Sequence, residues 1–274
     1  MAQDTKETPQ GIINFRDVGY TVNQFLGTRR IREGLIFRSA RPDDATSRDR
    51  AYLSVDLGIK TVIDLRTSTE LVKQRDKRRE QCSRDPSLPQ SAHIEGIDYH
   101  EIKLTGRKFE SQFIFLTIFR YRLEALQVVS QNILVPRGLL GLARDMLDLS
   151  GDEITEALSL CTSEQTTPVL VHCTQGKDRT GLICALVLMI LDVPIDAIEH
   201  DYFLSNAGLE TEREKLIKEV KQIGLTEEWV GTSKDMVVGM QRHLDDKYGG
   251  LEAYLDGIGF NKGCRVQLRD TLLY

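Results

Sequence analysis

Apolar and polar positions along the chain divide it into alternating strands and helices. "IKTVIDLR" (59–66) is compact, β-branched and hydrophobic at most positions, the pattern of a strand buried in a parallel sheet. "TPVLVHC" (167–173) reads as a second strand, and "IDYHEIKL" (97–104) alternates and predicts a third. "IINFRDVGY" (12–20) and "GLIFRSARPDD" (34–44) are short β-prone stretches ended by turn residues, which predicts a small antiparallel pair. Elsewhere the period is helical. "TSRDRAYLSVDLG" (46–58) predicts a helix stopped at Gly58, and "STELVKQRDKRRE" (68–80) a charged helix. "RTGLICALVLMILDVP" (179–194) predicts a buried helix, and residues 195–274 several short ones, among them the amphipathic "TEREKLIKEVKQIG" (211–224). The predicted fold class is α/β, with a central, mostly parallel sheet flanked by helices.

Residues 107–150 break this rhythm. They are aromatic and aliphatic with few interruptions, and predict a helical insertion. The segment reads either as core helices or as an amphipathic lid over a site. Residues 1–10 predict a flexible tail, leaving 11–274 as a single domain. The chain's 274 residues are enough to bury a sizeable core.

Composition narrows the setting. A net charge of −5 argues against a globally basic nucleic-acid surface. Cys82, Cys161, Cys173, Cys184 and Cys264 make an odd count with no CxxC spacing, which predicts free thiols, a reducing compartment and no metal site. The polar start "MAQDTKETPQ" has no apolar signal region, and the apolar run Gly181–Leu191 is shorter than the roughly 20 residues of a membrane span. A cytoplasmic protein is the expectation.

The chemistry concentrates in "HCTQGKDRTG" (172–181), between the second strand and the buried helix. A loop at the carboxyl end of a strand and the N-terminus of a helix is where open α/β sheets bind ligands. Helix-terminal N–H groups there attract anions, and successive amides from Thr174 to Arg179 form a nest for a phosphate. Gly176 permits a backbone turn that a Cβ would hinder. Cys173 at the nest's entrance is placed to act as a thiolate nucleophile. Arg179 can grip two phosphoryl oxygens, and Thr180 is positioned to hydrogen-bond the sulfur. For an isolated cysteine, a buried structural thiol is the usual reading; the surrounding pattern reverses it. His172 reads as a residue that orients the loop.

"HCTQGKDRTG" resembles the His-Cys-five residues-Arg-Ser/Thr signature of the cysteine-dependent protein tyrosine phosphatase superfamily. "NFRDVG" (14–19), "FRSARP" (37–42), "LGIKTVIDLR" (57–66), "DYFLSN" (201–206) and "YGGLEAYLDGIG" (248–259) resemble its atypical bacterial and fungal branch. The resemblance implies a phosphatase-like fold and a cofactor-free, metal-independent hydrolysis of phosphomonoesters through a cysteinyl phosphate. It implies a phosphorylated protein or a phosphoinositide as substrate, and the acidic net charge predicts no nucleic-acid partner. The alternatives are a phosphoinositide or inositol polyphosphate phosphatase, a catalytically silent phosphate-binding module, and a sulfur-transfer or arsenate-reducing enzyme.

The leaving group needs a general acid. The chain has no Trp-Pro-Asp tripeptide, its one tryptophan being Trp229. Asp145, Asp148 and Asp152 read as solvated helix residues. Asp64, which ends the strand in "VIDLR", and Asp178, inside the loop, both remain candidates. Thr174, Gln175, Gly176, Lys177, Thr180 and Arg66 are the expected substrate-binding residues. Lys177 in particular suggests a headgroup with several phosphates. The basic runs at 29–32 and 72–80 read as solvated faces, or as surfaces for peripheral membrane contact or a polyphosphate.

Overall fold

The computed structural model describes residues 9–85, 89, 91–104, 135–222 and 224–274. The expected tail at 1–8 and the insertion from 107 to 134 lie outside the described residues.

Five strands form one sheet in the order β1-β2-β5-β3-β4. They are β1 (Arg16–Asp17), β2 (Ile36–Ser39), β3 (Thr61–Asp64), β4 (Asp98–Glu101) and β5 (Val169–His172). β1 runs antiparallel to β2, and every other pairing is parallel. The mostly parallel sheet and the antiparallel N-terminal pair are therefore as expected. The first strand is shorter than its β-prone stretch suggests. Asp17 accepts a hydrogen bond from the Tyr20 amide at 3.1 Å and caps helix α1 (Val18–Leu26), so chain direction changes after two strand residues.

The near-continuous apolar strands follow from burial on both faces. Ile36, Ile63, Val169 and Val171 belong to the larger core, whereas Phe37, Val62 and Leu170 belong to a second core on the opposite face. Helix α2 (Ser47–Ala51), continued by a wider turn through Asp56, lies on the smaller side and contributes Leu53; Gly58, at φ +60°, ends it. Helix α3 (Ser68–Arg84) follows β3.

On the larger side, α4 (Val135–Leu149) and α5 (Gly151–Ser159) precede β5. Helix α6 (Asp178–Ile190) is buried along nearly its whole surface, as its unbroken apolar sequence requires. Helices α7 (Ile195–Gly208), α8 (Arg213–Gln222), α9 (Met236–Tyr248), α10 (Leu251–Gly257) and α11 (Lys262–Leu272) complete the chain. Among the described residues no helix is long and apolar enough to cross a membrane.

The register brings the carboxyl ends of four strands level. Ser39 and Asp64 both pair with His172, and Asp64 also pairs with Glu101. The segments that continue from these residues therefore meet along one edge of the sheet, beside Cys173.

Candidate active site

The loop that leaves β5 at Cys173 enters α6 at Asp178. Gly176 decides its path. Its φ is +66°, and a Cβ there would stand 2.0 Å from the Ser39 carbonyl oxygen, so both backbone conformation and space exclude a side chain.

The carbonyls of this loop are held from behind. Asn14 Nδ2 donates to the oxygens of Gln175 at 3.0 Å and Gly176 at 3.1 Å. Arg38 Nη2 donates to Gly176 at 2.9 Å and to Lys177 at 3.3 Å. In a trans peptide the carbonyl and the following N–H point in opposite directions. The amides of Gly176, Lys177 and Asp178 are thereby turned away from Asn14 and Arg38. The Gly176 amide donates to Cys173 Sγ at 3.2 Å.

These two anchors are themselves fixed. Arg38 is fully buried and its Nη1 donates to Asp201 Oδ2 at 2.5 Å. Arg16 Nε donates to Asp201 Oδ1 at 2.8 Å, and its Nη1 donates to Asn14 Oδ1 at 2.6 Å. Burial works against the Asp201 carboxylate, but Arg16 and Arg38 outweigh it and hold its pKa below the usual range. Residues of "NFRDVG", "FRSARP" and "DYFLSN" thus meet beneath one loop. Sequence reasoning gave no role to Asn14, Arg16, Arg38 or Asp201. The available signal was a charge at positions such as Arg38, inside the otherwise apolar "LIFRS".

Arg179 is held from another direction. Its Nη1 donates to the Leu65 carbonyl at 3.1 Å, and its two terminal nitrogens donate to Glu70 Oε2 at 2.6 Å and Oε1 at 2.7 Å. The Thr174 hydroxyl also donates to Glu70 Oε1. Glu70 owes its position to the start of α3, where Thr67 donates its amide and hydroxyl to Oε2 at 2.9 and 2.8 Å. This is a capping box, and "TSTE" was its legible signal, although sequence reasoning passed over it. Burial opposes the Glu70 charge, but the Arg179 guanidinium outweighs it and holds the carboxyl well below its usual range.

A cavity of about 510 Å³ lies over the loop. Cys173, Thr174, Gln175, Asp178 and Arg179 line it together with the apolar Leu139, Leu142, Met146, Trp229 and Met236. The described part of the 107–150 segment thus contributes to the wall through α4. Asp178 Oδ1 is buried without a hydrogen-bond partner among the described residues and stands 3.7 Å from Lys177 Nζ.

Four expected residues are placed differently from the sequence reading. The Lys177 ammonium is fully buried and donates to the carbonyls of Trp229, Val230 and Gly231 at 2.9, 3.1 and 2.5 Å. It braces the wall segment and does not line the cavity. Arg66 is buried too, gripping both oxygens of Asp43 and of Asp64. Asp64 also stands 3.7 Å from His172 Nε2. Burial raises the pKa of Asp64, but His172 and Arg66 outweigh it and hold the group below the usual range, so it is a carboxylate already paired. Neither Asp64 nor Arg66 lines the Cys173 cavity. Among the described residues the buried Thr180 hydroxyl has no hydrogen-bond partner, the Cys173 sulfur included. His172 Nδ1 lies 3.2 Å from the Cys173 carbonyl oxygen, where the loop begins. Asp145 pairs with Arg137, and Asp148 with His243, Tyr248 and Lys247.

A cysteine whose sulfur accepts a loop amide, sharing one cavity with an arginine, is the arrangement expected of a cysteine-dependent phosphatase. The chain belongs to the tyrosine phosphatase family, whose family model matches residues 8–274, and it is a phosphoric monoester hydrolase. It is similar to the triple specificity protein phosphatase PtpB of Mycobacterium tuberculosis, 26% identical over 298 residues, covering 98% of this chain and 99% of that one. It is also similar to a tyrosine-protein phosphatase of Nostoc commune, 28% identical over 244 residues, covering 86% of this chain and 73% of that one.

Two measurements test this geometry. Because the folded-state pKa of Glu70 is depressed, its pairing contributes stability that is fully present above the ordinary value of 4.5 and is lost as pH falls below it. Urea unfolding of Glu70→Gln should therefore show a shallower fall in stability than wild type between about pH 5 and pH 3. Lys177→Met should lower turnover of an aryl phosphate and of a phosphoinositide by the same factor. A loss confined to the phosphoinositide would place the ammonium at the substrate.

Proposed function

We propose that this chain hydrolyses phosphotyrosyl side chains through a cysteinyl-phosphate intermediate. The observation that carries this reading is the shared cavity of Cys173, Arg179 and Asp178, walled by aromatic and aliphatic side chains. An apolar wall suits a phenyl ring, and Arg179 is the only cation among the described residues lining it. A headgroup with several phosphates would set the additional charges against Leu139, Leu142 and Met146. Phosphoinositide turnover is thus the weaker reading, although the triple specificity named for the Mycobacterium tuberculosis relative favours a range wider than tyrosine alone.

In the first step the Cys173 thiolate attacks phosphorus. The S–P bond forms, the P–O bond to the phenol breaks, and Asp178 supplies the proton that the leaving oxygen takes. Arg179 and the loop amides stabilise the charge on the equatorial oxygens. A phosphoryl group can share the guanidinium with Glu70, because Arg179 has five N–H donors. In the second step water attacks phosphorus, the S–P bond breaks, and Asp178 regains a proton. No step requires a metal. Asp178 is favoured over Asp64 because it lines the cavity, whereas Asp64 is ion-paired to Arg66 outside it. Burial pushes the Cys184 thiol up to about 11, which disfavours it as a resolving thiolate in a sulfur-transfer reaction.

Cys173→Ser should abolish hydrolysis of p-nitrophenyl phosphate while vanadate binding is retained, and EDTA should leave wild-type activity intact. Survival of turnover in the variant would remove the covalent mechanism. Asp178→Asn should lower kcat on phenyl phosphate by roughly 10²–10⁴-fold. The loss on p-nitrophenyl phosphate should be smaller, since its leaving group needs no proton. Asp64→Asn should lower stability instead and affect both substrates equally; the reverse pattern would exchange the two assignments.

A further inference from the structure

A second cavity, of about 670 Å³, lies outside the catalytic pocket. One wall is α3, where Gln74, Arg75, Arg78 and Cys82 recur at helical spacing and face the same space. The opposite wall is formed by Ser91–His93 and the edge strand β4, and the base reaches Arg66 and His172. It contains much of the basic run at 72–80, which the catalytic reaction leaves unused.

Several acceptors of this cavity are already engaged. Arg66 takes both oxygens of Asp43, and Glu101 pairs with Arg75 at 3.2 Å. The carbonyls of Ser91, Ala92 and His93 accept from Arg50 at 3.0, 3.3 and 3.1 Å. The Pro89 carbonyl beside them accepts from Arg78 Nε at 2.9 Å. Donors are left over. Among the described residues the Gln74 amide nitrogen is buried with no partner, and Arg79 has no ion pair or hydrogen bond. Among the described residues four arginines line the space against two carboxylates, Asp43 and Glu101. A buried donor without an acceptor is unfavourable until a ligand supplies one, and guanidinium forks match phosphate oxygens.

We propose that this cavity is a binding site for a small polyanion carrying clustered phosphate groups, separate from the catalytic loop. Arg75 and Arg79 lie one helical turn apart, about 5–6 Å between Cβ atoms. That spacing engages neighbouring phosphates of one molecule better than it engages an isolated carboxylate. The same phosphate cluster exists on a soluble polyphosphate and on a phosphorylated lipid headgroup. The site does not depend on which phosphomonoester the Cys173 pocket accepts.

The test uses the full chain with its catalytic loop saturated by orthovanadate, so that only other sites report. Calorimetry with inorganic tripolyphosphate and sedimentation with phosphatidylcholine vesicles, with or without phosphatidylinositol bisphosphate, are run side by side. Binding of tripolyphosphate is expected, with Kd raised about tenfold or more in Arg79→Ala and further in Arg75→Ala/Arg79→Ala. Hydrolysis of p-nitrophenyl phosphate by both variants should stay unchanged, which also reports an intact fold. Binding to the phosphorylated vesicles alone would support the site and assign it to a lipid headgroup. Absence of binding to both probes, or equal affinity in wild type and the double variant, would overturn it.

Discussion

The site rests on the orientation of a few peptide planes. Buried guanidinium and amide groups pull the carbonyls of Gln175, Gly176 and Lys177 to the rear of the loop, and peptide planarity then turns the following amides to the opposite side. Hydrogen bonds to carbonyls alone would leave charge uncompensated in the interior. Asp201 supplies that compensation by pairing with Arg16 and Arg38 at once. Removing the carboxylate would strand two buried cations, so the cluster stands or falls as a unit. The loop at Cys173 is therefore held by residues from the first strand, the second strand and a helix that follows α6.

A second buried ion cluster lies close by and does something different. Asp43, Arg66 and Asp64 saturate one another, with His172 alongside. Burial pushes the imidazole below its usual pKa, against the pull of Asp64. This cluster sits at the ends of β3 and β5 and joins them electrostatically, while Glu70 and Arg179 join the next turn of chain to the loop. Helix α3 separates the results. At its N-terminus Glu70 pairs with Arg179, and further along an arginine-bearing stripe faces the other cavity.

Strand and helix types were legible because burial imposes them locally. "IKTVIDLR" and "TPVLVHC" are apolar on both parities because both sheet faces are covered, and α6 is apolar all round because it is enclosed. The 172–181 loop stood out because a glycine, a cysteine and an arginine at that spacing have few other uses. Side-chain direction was not legible. Lys177 and Asp178 are adjacent in sequence, yet one ammonium turns to the 229–231 carbonyls and the neighbouring carboxyl lines the cavity. Asp64 was a reasonable acid by its place at a strand end, until the strand register set Arg66 and His172 against it.

By itself, then, the sequence determined the α/β class, the strand-loop-helix joint, and the identity of the cysteine and arginine within it, because each follows from local pattern and backbone stereochemistry. Only the tertiary structure decided which distant charges meet. Asn14, Arg16, Arg38 and Asp201 acquire a common purpose through contacts spanning up to 185 residues of chain. Glu70 acquires its role across 109. Such pairings depend on how β-strands order themselves in the sheet, and no local periodicity encodes that order.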